Sequence, residues 1–154
     1  MNLSKILQIL IVTSALAGYS AWLRNSRQQA AAAPSGKEIP AAGIQLISVN
    51  DAESLWRKGT TVFVDVRPSS DYDFGHIPGA FHLPFEEFKQ GFPALEARLR
   101  KAKDIVVYCK SEDCGASLWV AIELRNAGLM PTKIFPEGWN EWYLRKLPTT
   151  IQGR

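Results

Sequence analysis

An α/β fold is predicted, with a parallel sheet of about five strands and helices on both faces. Three observations carry it. Short β-rich apolar runs alternate with helical patterns, the signature of strand–helix–strand units. Val62-Phe63-Val64-Asp65-Val66 and Ile105-Val106-Val107-Tyr108-Cys109 are almost unbroken apolar runs, as in strands buried on both faces. Glycine and proline punctuate the chain between these runs, at Gly59, Pro78-Gly79, Pro84, Gly128 and Pro148.

Taken in order, Ile44–Ile47 reads as a first strand. Asn50–Lys58 reads as a short helix, capped by Ser48 or Asn50 and stopped at Gly59. Val62–Val66 is the first buried strand and Ala80–Leu83 a weaker one. Phe92–Lys101 is a helix with Pro93 as its first residue, where the missing N–H costs nothing. Ile105–Cys109 is the second buried strand. Gly115–Ala127 follows as a helix, with Leu118, Ala121, Ile122 and Arg125 on alternate faces and Asn126-Ala127-Gly128 as its stop. Lys133–Phe135 is a last strand. Trp139, Trp142, Tyr143 and Leu144 form an aromatic helical stripe, in which Trp139 and Trp142 are expected in the core, with a binding face as the alternative.

The chain of 154 residues is long enough for one domain and an extension. Its net charge of +3 is uneven. Residues 1–37 carry Lys5, Arg24, Arg27 and Lys37 and no acid, whereas the other 14 basic and 15 acidic side chains leave residues 38–154 at −1. No basic stripe points to nucleic acid and no acidic tract to a tail. With two cysteines and two histidines, none at metal-knuckle spacing, no metal site and no cofactor are expected.

Ile6–Leu23 is mostly apolar, and its 18 residues would span roughly 27 Å as a helix, just enough for a hydrocarbon core. Residues 1–27 are therefore expected to be a transmembrane anchor, with Trp22 at the interface, or a secretory signal with Ala15-Leu16-Ala17 as its cleavage site. The domain is expected to face the periplasm or exterior, with the cytoplasmic face as the alternative. Residues 28–43 hold Ala30–Ala33, Pro34, Gly36, Pro40 and Gly43, and read as a flexible linker. The folded domain is expected over 44–150.

Right-handed crossovers place the C-terminal ends of parallel strands on one rim, where ligands bind. Asp65 and Cys109 both fall there. Cys109 ends its strand, Lys110-Ser111-Glu112-Asp113-Cys114-Gly115 forms a loop, and a helix starts. A thiol so placed faces loop amides and the positive end of a helix dipole, which favour thiolate.

Five blocks stand out in order: Val62-Phe63-Val64-Asp65-Val66-Arg67, Phe74-Gly75-His76-Ile77-Pro78-Gly79-Ala80, Val106-Val107-Tyr108-Cys109, Glu137-Gly138-Trp139-Asn140-Glu141-Trp142 and Leu147-Pro148-Thr149. Together they resemble the single-domain rhodanese family. The resemblance implies a rhodanese-like fold and a sulfurtransferase, in which Cys109 takes up sulfane sulfur as a persulfide. A small sulfur donor and a thiophilic acceptor, protein thiols included, would be its partners. The backbone amides of Lys110, Ser111, Glu112, Asp113, Cys114 and Gly115 would cradle the anion. Two features depart from the family pattern. Ser117 matches an Arg-Ser pair at the helix start, but Ala116 stands where the arginine would be. The loop is also about two residues longer and carries Glu112 and Asp113, which disfavours an anionic donor such as thiosulfate.

Cys114 is a second thiol on the same loop; two thiols so placed can approach within disulfide reach, and in a reducing compartment Cys114 could resolve a persulfide or sulfenic acid on Cys109. The alternative reading is therefore a non-catalytic or thiol–disulfide switch module using Cys109 and Cys114. Asp65, Arg67 and His76 are assigned to structural support: Asp65 by accepting N–H bonds, Arg67 by a surface pair with Asp65 or a nearby acid, and His76 as a turn staple. No role is assigned to His82.

Overall fold

The protein is described by a computed structural model covering residues 38–39, 43–129 and 131–151, all within the unit Ser35–Arg154. The anchor or signal expected over 1–27 lies outside the described residues. Among the described residues no helix is long and apolar enough to cross a membrane.

The elements are β1 (Glu38–Ile39), β2 (Ile44–Leu46), α1 (Val49–Lys58), β3 (Thr61–Asp65), α2 (Ser69–Phe74), β4 (Phe81–His82), a 3₁₀ turn (Phe85–Glu87), α3 (Phe88–Leu99), β5 (Asp104–Tyr108), α4 (Ala116–Asn126), β6 (Thr132–Phe135) and α5 (Gly138–Leu144). The strand order is β1-β2-β6-β5-β3-β4. Every pair is parallel except β1–β2, which is antiparallel. The predicted five-stranded parallel sheet is thus present with one added edge strand. That strand falls within the stretch read as linker, where Glu38 and Ile39 pair with Gln45 and Ile44.

Local chemistry accounts for α1. Ser48 and Asp51 form a reciprocal capping box, and Gly59 closes the helix at φ 68°. Two predictions are corrected. The helix expected to start at Pro93 starts at Phe88, with Pro93 inside it. Phe88 is buried, stacks on Phe92 at 5.2 Å and meets Trp119 edge-on at 5.3 Å, so ring packing offsets the backbone bond that proline removes. The second correction is α2, which has no counterpart in the predicted elements. Its Ser-Ser-Asp-Tyr-Asp-Phe sequence has no apolar periodicity and buries only Tyr72.

Strand alternation divides the core in two. Val64, Val66, Ile105, Val107, Cys109 and Ile134 pack with Val120, Ala121 and Leu124 of α4 and with Phe88 and Leu99 of α3. Phe63, Val106, Tyr108 and Phe135 pack with Ala52 of α1 and with Trp139 and Trp142 of α5. Trp139 and Trp142 are core, as the sequence implies, whereas Tyr143 and Leu144 of the same stripe are exposed.

Tyr108 is fully buried, and its hydroxyl accepts the Ile77 N–H at 3.2 Å. Burial, reinforced by the neighbouring Asp65 carboxylate, holds this phenol well above its ordinary value of 10.0. The folded state therefore keeps a proton that the unfolded chain loses, and this contribution is full below pH 10.0 and declines as pH rises further. The melting temperature should fall progressively above that pH. Tyr108→Phe, followed by the same thermal titration, should flatten the decline; an unchanged slope would assign it to other groups.

Candidate active site

The pairing of β5 with β3 puts Tyr108 beside Asp65 at the C-terminal rim. Cys109 follows, only 5% exposed, on the face packed against α4. Its carbonyl accepts the Trp139 N–H at 2.9 Å, and the Lys110 carbonyl accepts the Asn140 N–H at 3.0 Å. The start of the loop is thereby fastened to the first turn of α5. Gly138 makes this approach possible. It holds φ +60°, and a Cβ there would run into the Cys109 carbonyl.

The loop then turns back. Cys114 N–H donates to the Ser111 carbonyl at 3.1 Å, closing a turn centred on Glu112 and Asp113. The Ser117 hydroxyl donates to the Cys114 carbonyl at 3.3 Å. The turn brings Cys114 against Cys109, and the two form a disulfide with Cα atoms 6.2 Å apart. The expected amide cradle is modified in this form, because the Cys114 amide is committed to Ser111.

A cleft of about 180 Å³ opens beside the cysteines, lined by Val66, Pro68, Pro84, Phe85, Glu86, Cys109, Cys114 and Ala116. Ala116 is the first residue of α4, so the positive end of that helix borders the thiol position. The lining contains one carboxylate and no cation. Phe85 stands 41% exposed at the cleft and meets Trp119 edge-on at 5.2 Å. Phe85 and Glu86 were not singled out in the sequence; they reach the site only because the chain after β4 folds over the rim. Among the described residues no cluster of metal-ligating side chains occurs.

Asp65, Arg67 and His76 are not part of this cleft. Asp65 is completely buried and Arg67 is 2% exposed. Arg67 Nε donates to both carboxylate oxygens of Asp65 at 3.0 and 3.1 Å. Its Nη2 donates to Asp65 Oδ2 at 2.6 Å and to the Gly75 carbonyl at 2.7 Å. The Arg67 backbone N–H donates to Asp65 Oδ1 at 3.0 Å. The guanidinium lies 4.7 Å from the Trp139 ring centre. The expected surface pair is therefore corrected to a buried one: Gly75, Trp139 and Tyr108 close over it, and its desolvation is offset by this dense set of bonds.

His76 fastens the turn after α2. Its Nδ1–H donates to the Tyr72 carbonyl at 2.9 Å and its ring stacks on Tyr72 at 3.8 Å. Its backbone exchanges two hydrogen bonds of 2.9 Å with Thr150. His82 acquires a role: Nε2–H donates to the Arg67 carbonyl at 3.0 Å, and the ring stacks on the other side of Tyr72 at 4.3 Å. Replacing Arg67 by Met should lower unfolding free energy by about 3–5 kcal/mol, because Asp65 is left buried and unpaired. Urea unfolding of Arg67→Met against the Asp65→Leu/Arg67→Met pair checks this, with the double variant recovering part of the loss.

Comparison with known proteins agrees with this architecture. The rhodanese-like domain family matches residues 48–145. An HTH-type transcriptional regulator of Mycobacterium tuberculosis is 36% identical over 103 residues, which are 66% of this chain and 43% of the regulator. A tRNA uridine(34) hydroxylase of Pectobacterium carotovorum is 32% identical over 72 residues, 46% of this chain and 20% of the hydroxylase. The chain thus spans less than half the length of these curated relatives. The solution structure of a rhodanese-like domain from an Anabaena protein is similar at TM-score 0.56 and 28% identity, covering 68% of this chain and 76% of that domain. A thiosulfate sulfurtransferase from Pseudomonas aeruginosa gives TM-score 0.56 at 21% identity over 69% of this chain and 20% of that enzyme, a likeness of fold alone. The family match runs from Ser48, the cap of α1, to Arg145, just past α5, and takes in every element of the site: the chain belongs to the rhodanese-like domain family.

Proposed function

We propose that the protein is a sulfurtransferase working through a persulfide on Cys109. The observation that carries this reading is the position of Cys109, at the floor of an apolar cleft bordered by the start of α4. In the reduced protein the helix end and loop amides favour a thiolate there. The thiolate attacks the outer sulfur of a donor R–S–SH, a Cys109 S–S bond forms, and R–S⁻ leaves with the electron pair. No general base is required when the attacking sulfur is a thiolate.

The cleft also narrows the donor. Thiosulfate would bring two negative charges to a lining with Glu86 and no cation. Arg67 is held by Asp65 and Gly75 and does not line the cleft. An organic persulfide with an apolar or weakly charged body fits better than an oxyanion. The disulfide favours a second reading, in which Cys109 and Cys114 act as a thiol–disulfide switch and no sulfur is carried.

Mass measurement separates the two. Reduced Cys114→Ser treated with glutathione persulfide should acquire sulfur on Cys109, and Cys109→Ser should fold normally and acquire none. Uptake by Cys109→Ser as fast as by Cys114→Ser would refute the assignment; no uptake by Cys114→Ser and no sulfide released by wild type, with no free thiol in wild type before reduction, supports the switch. Placing a cation at the cleft should change the donor: Ala116→Arg is expected to raise kcat/KM for thiosulfate about tenfold, equivalent to about 1.4 kcal/mol from a charge-assisted contact. Steady-state assays with thiosulfate and cyanide measure it, and an unchanged value would remove electrostatics from the account of donor choice.

A further inference from the structure

The geometry points to a further activity: Cys114 is a resolving thiol that, where no external acceptor takes the sulfur, converts the Cys109 persulfide into hydrogen sulfide and the Cys109–Cys114 disulfide. The inference rests on the Cys109 persulfide proposed above. It adds a second reacting residue and a different product.

Three observations carry it. The two sulfurs are already at bonding distance, joined in a disulfide. Cys114 is set there by the Ser111 turn and by the Ser117 hydroxyl on its carbonyl, so its approach is built into the loop. The third observation is access. Cys109 is 5% exposed, and an external acceptor must enter a cleft only about 180 Å³ in volume beside Phe85, whereas Cys114 forms part of its wall. A thiol held five residues away acts at an effective concentration of at least about millimolar, and oriented groups reach far higher values. An external thiol at micromolar concentration does not compete with it.

The step balances without a further oxidant. The persulfide is Cys109 Sγ bonded to an outer sulfur. The Cys114 thiolate attacks Cys109 Sγ, the new Sγ–Sγ bond forms, and the bond to the outer sulfur breaks. The outer sulfur leaves as HS⁻ with the electron pair and its proton. It is reduced by two electrons, which the two cysteine sulfurs supply as they become a disulfide. Renewed turnover needs an external dithiol, which takes the disulfide back to two thiols.

A single-turnover experiment tests this on full-length protein, reduced, freed of reductant and kept anaerobic. One equivalent of glutathione persulfide is added, with Cys109→Ser as the control for spontaneous breakdown. Wild type should release about one equivalent of sulfide, lose both free thiols and finish two hydrogens lighter than the reduced protein. Cys114→Ser should hold one extra sulfur on Cys109 and release sulfide at least tenfold more slowly, and Cys114→Ala should do the same. Should neither variant fold, the wild-type sulfide yield and thiol count decide alone. A wild-type persulfide as long-lived as that of the variants, with the Cys114 thiol still free, would overturn the resolving role and leave sulfur transfer standing. No sulfur on Cys109 in wild type or in either variant, and no sulfide above the control, would overturn both.

Discussion

The buried pair between Asp65 and Arg67 is the contact around which the sheet rim is organised. Two charges removed from water are costly unless every polar atom is satisfied. Here the carboxylate accepts from the side chain and the backbone N–H of Arg67, while the guanidinium also reaches Gly75 and lies on Trp139. One interaction therefore joins the end of β3, the end of α2 and the start of α5. His82 extends it by holding the Arg67 carbonyl, and Tyr72 is clamped between His82 and His76. His76 in turn ties in the chain after α5 through Thr150.

That scaffold and the chemistry lie on opposite faces of the same rim. A strand turns successive side chains to alternate sides, so Tyr108 enters the layer that contains Trp139 and Trp142, and Cys109 enters the layer beneath α4. The charged pair is thereby kept away from the thiol, and the cleft beside Cys109 stays apolar with Glu86 as its one charge. Backbone hydrogen bonds join the two faces: the Cys109 and Lys110 carbonyls accept amides from α5 across Gly138, whose missing side chain lets the segments meet. The loop is thus anchored at its start, and its second half, closed by the bond from the Cys114 amide to Ser111, carries Cys114 back to the thiol.

Much of the fold was legible in the sequence because it is written in local terms. The apolar runs ending at Asp65 and Tyr108, the Ser48 cap and the Gly59 stop each follow from periodicity or from one side chain's hydrogen bonds. Elements held by distant partners were not legible. α2 depends on Tyr72 lying between two histidines, and β1 on a pairing only two residues long. The start of α3 depends on Phe88 packing against Trp119, which is 31 positions further along the chain.

The sequence by itself determined the fold family, the sheet and the place of Cys109 at the end of a buried strand, because strand periodicity and the Gly-His-Ile-Pro-Gly-Ala block are properties of neighbouring residues. Only the tertiary structure decided that Arg67 is buried rather than at the surface, that Phe85 and Glu86 border the thiol, and that Cys114 bonds to Cys109. The reason is physical: burial, cleft lining and disulfide contact depend on how far apart segments come to rest in space. That distance is set by packing across the whole sheet, and no short stretch of sequence carries it.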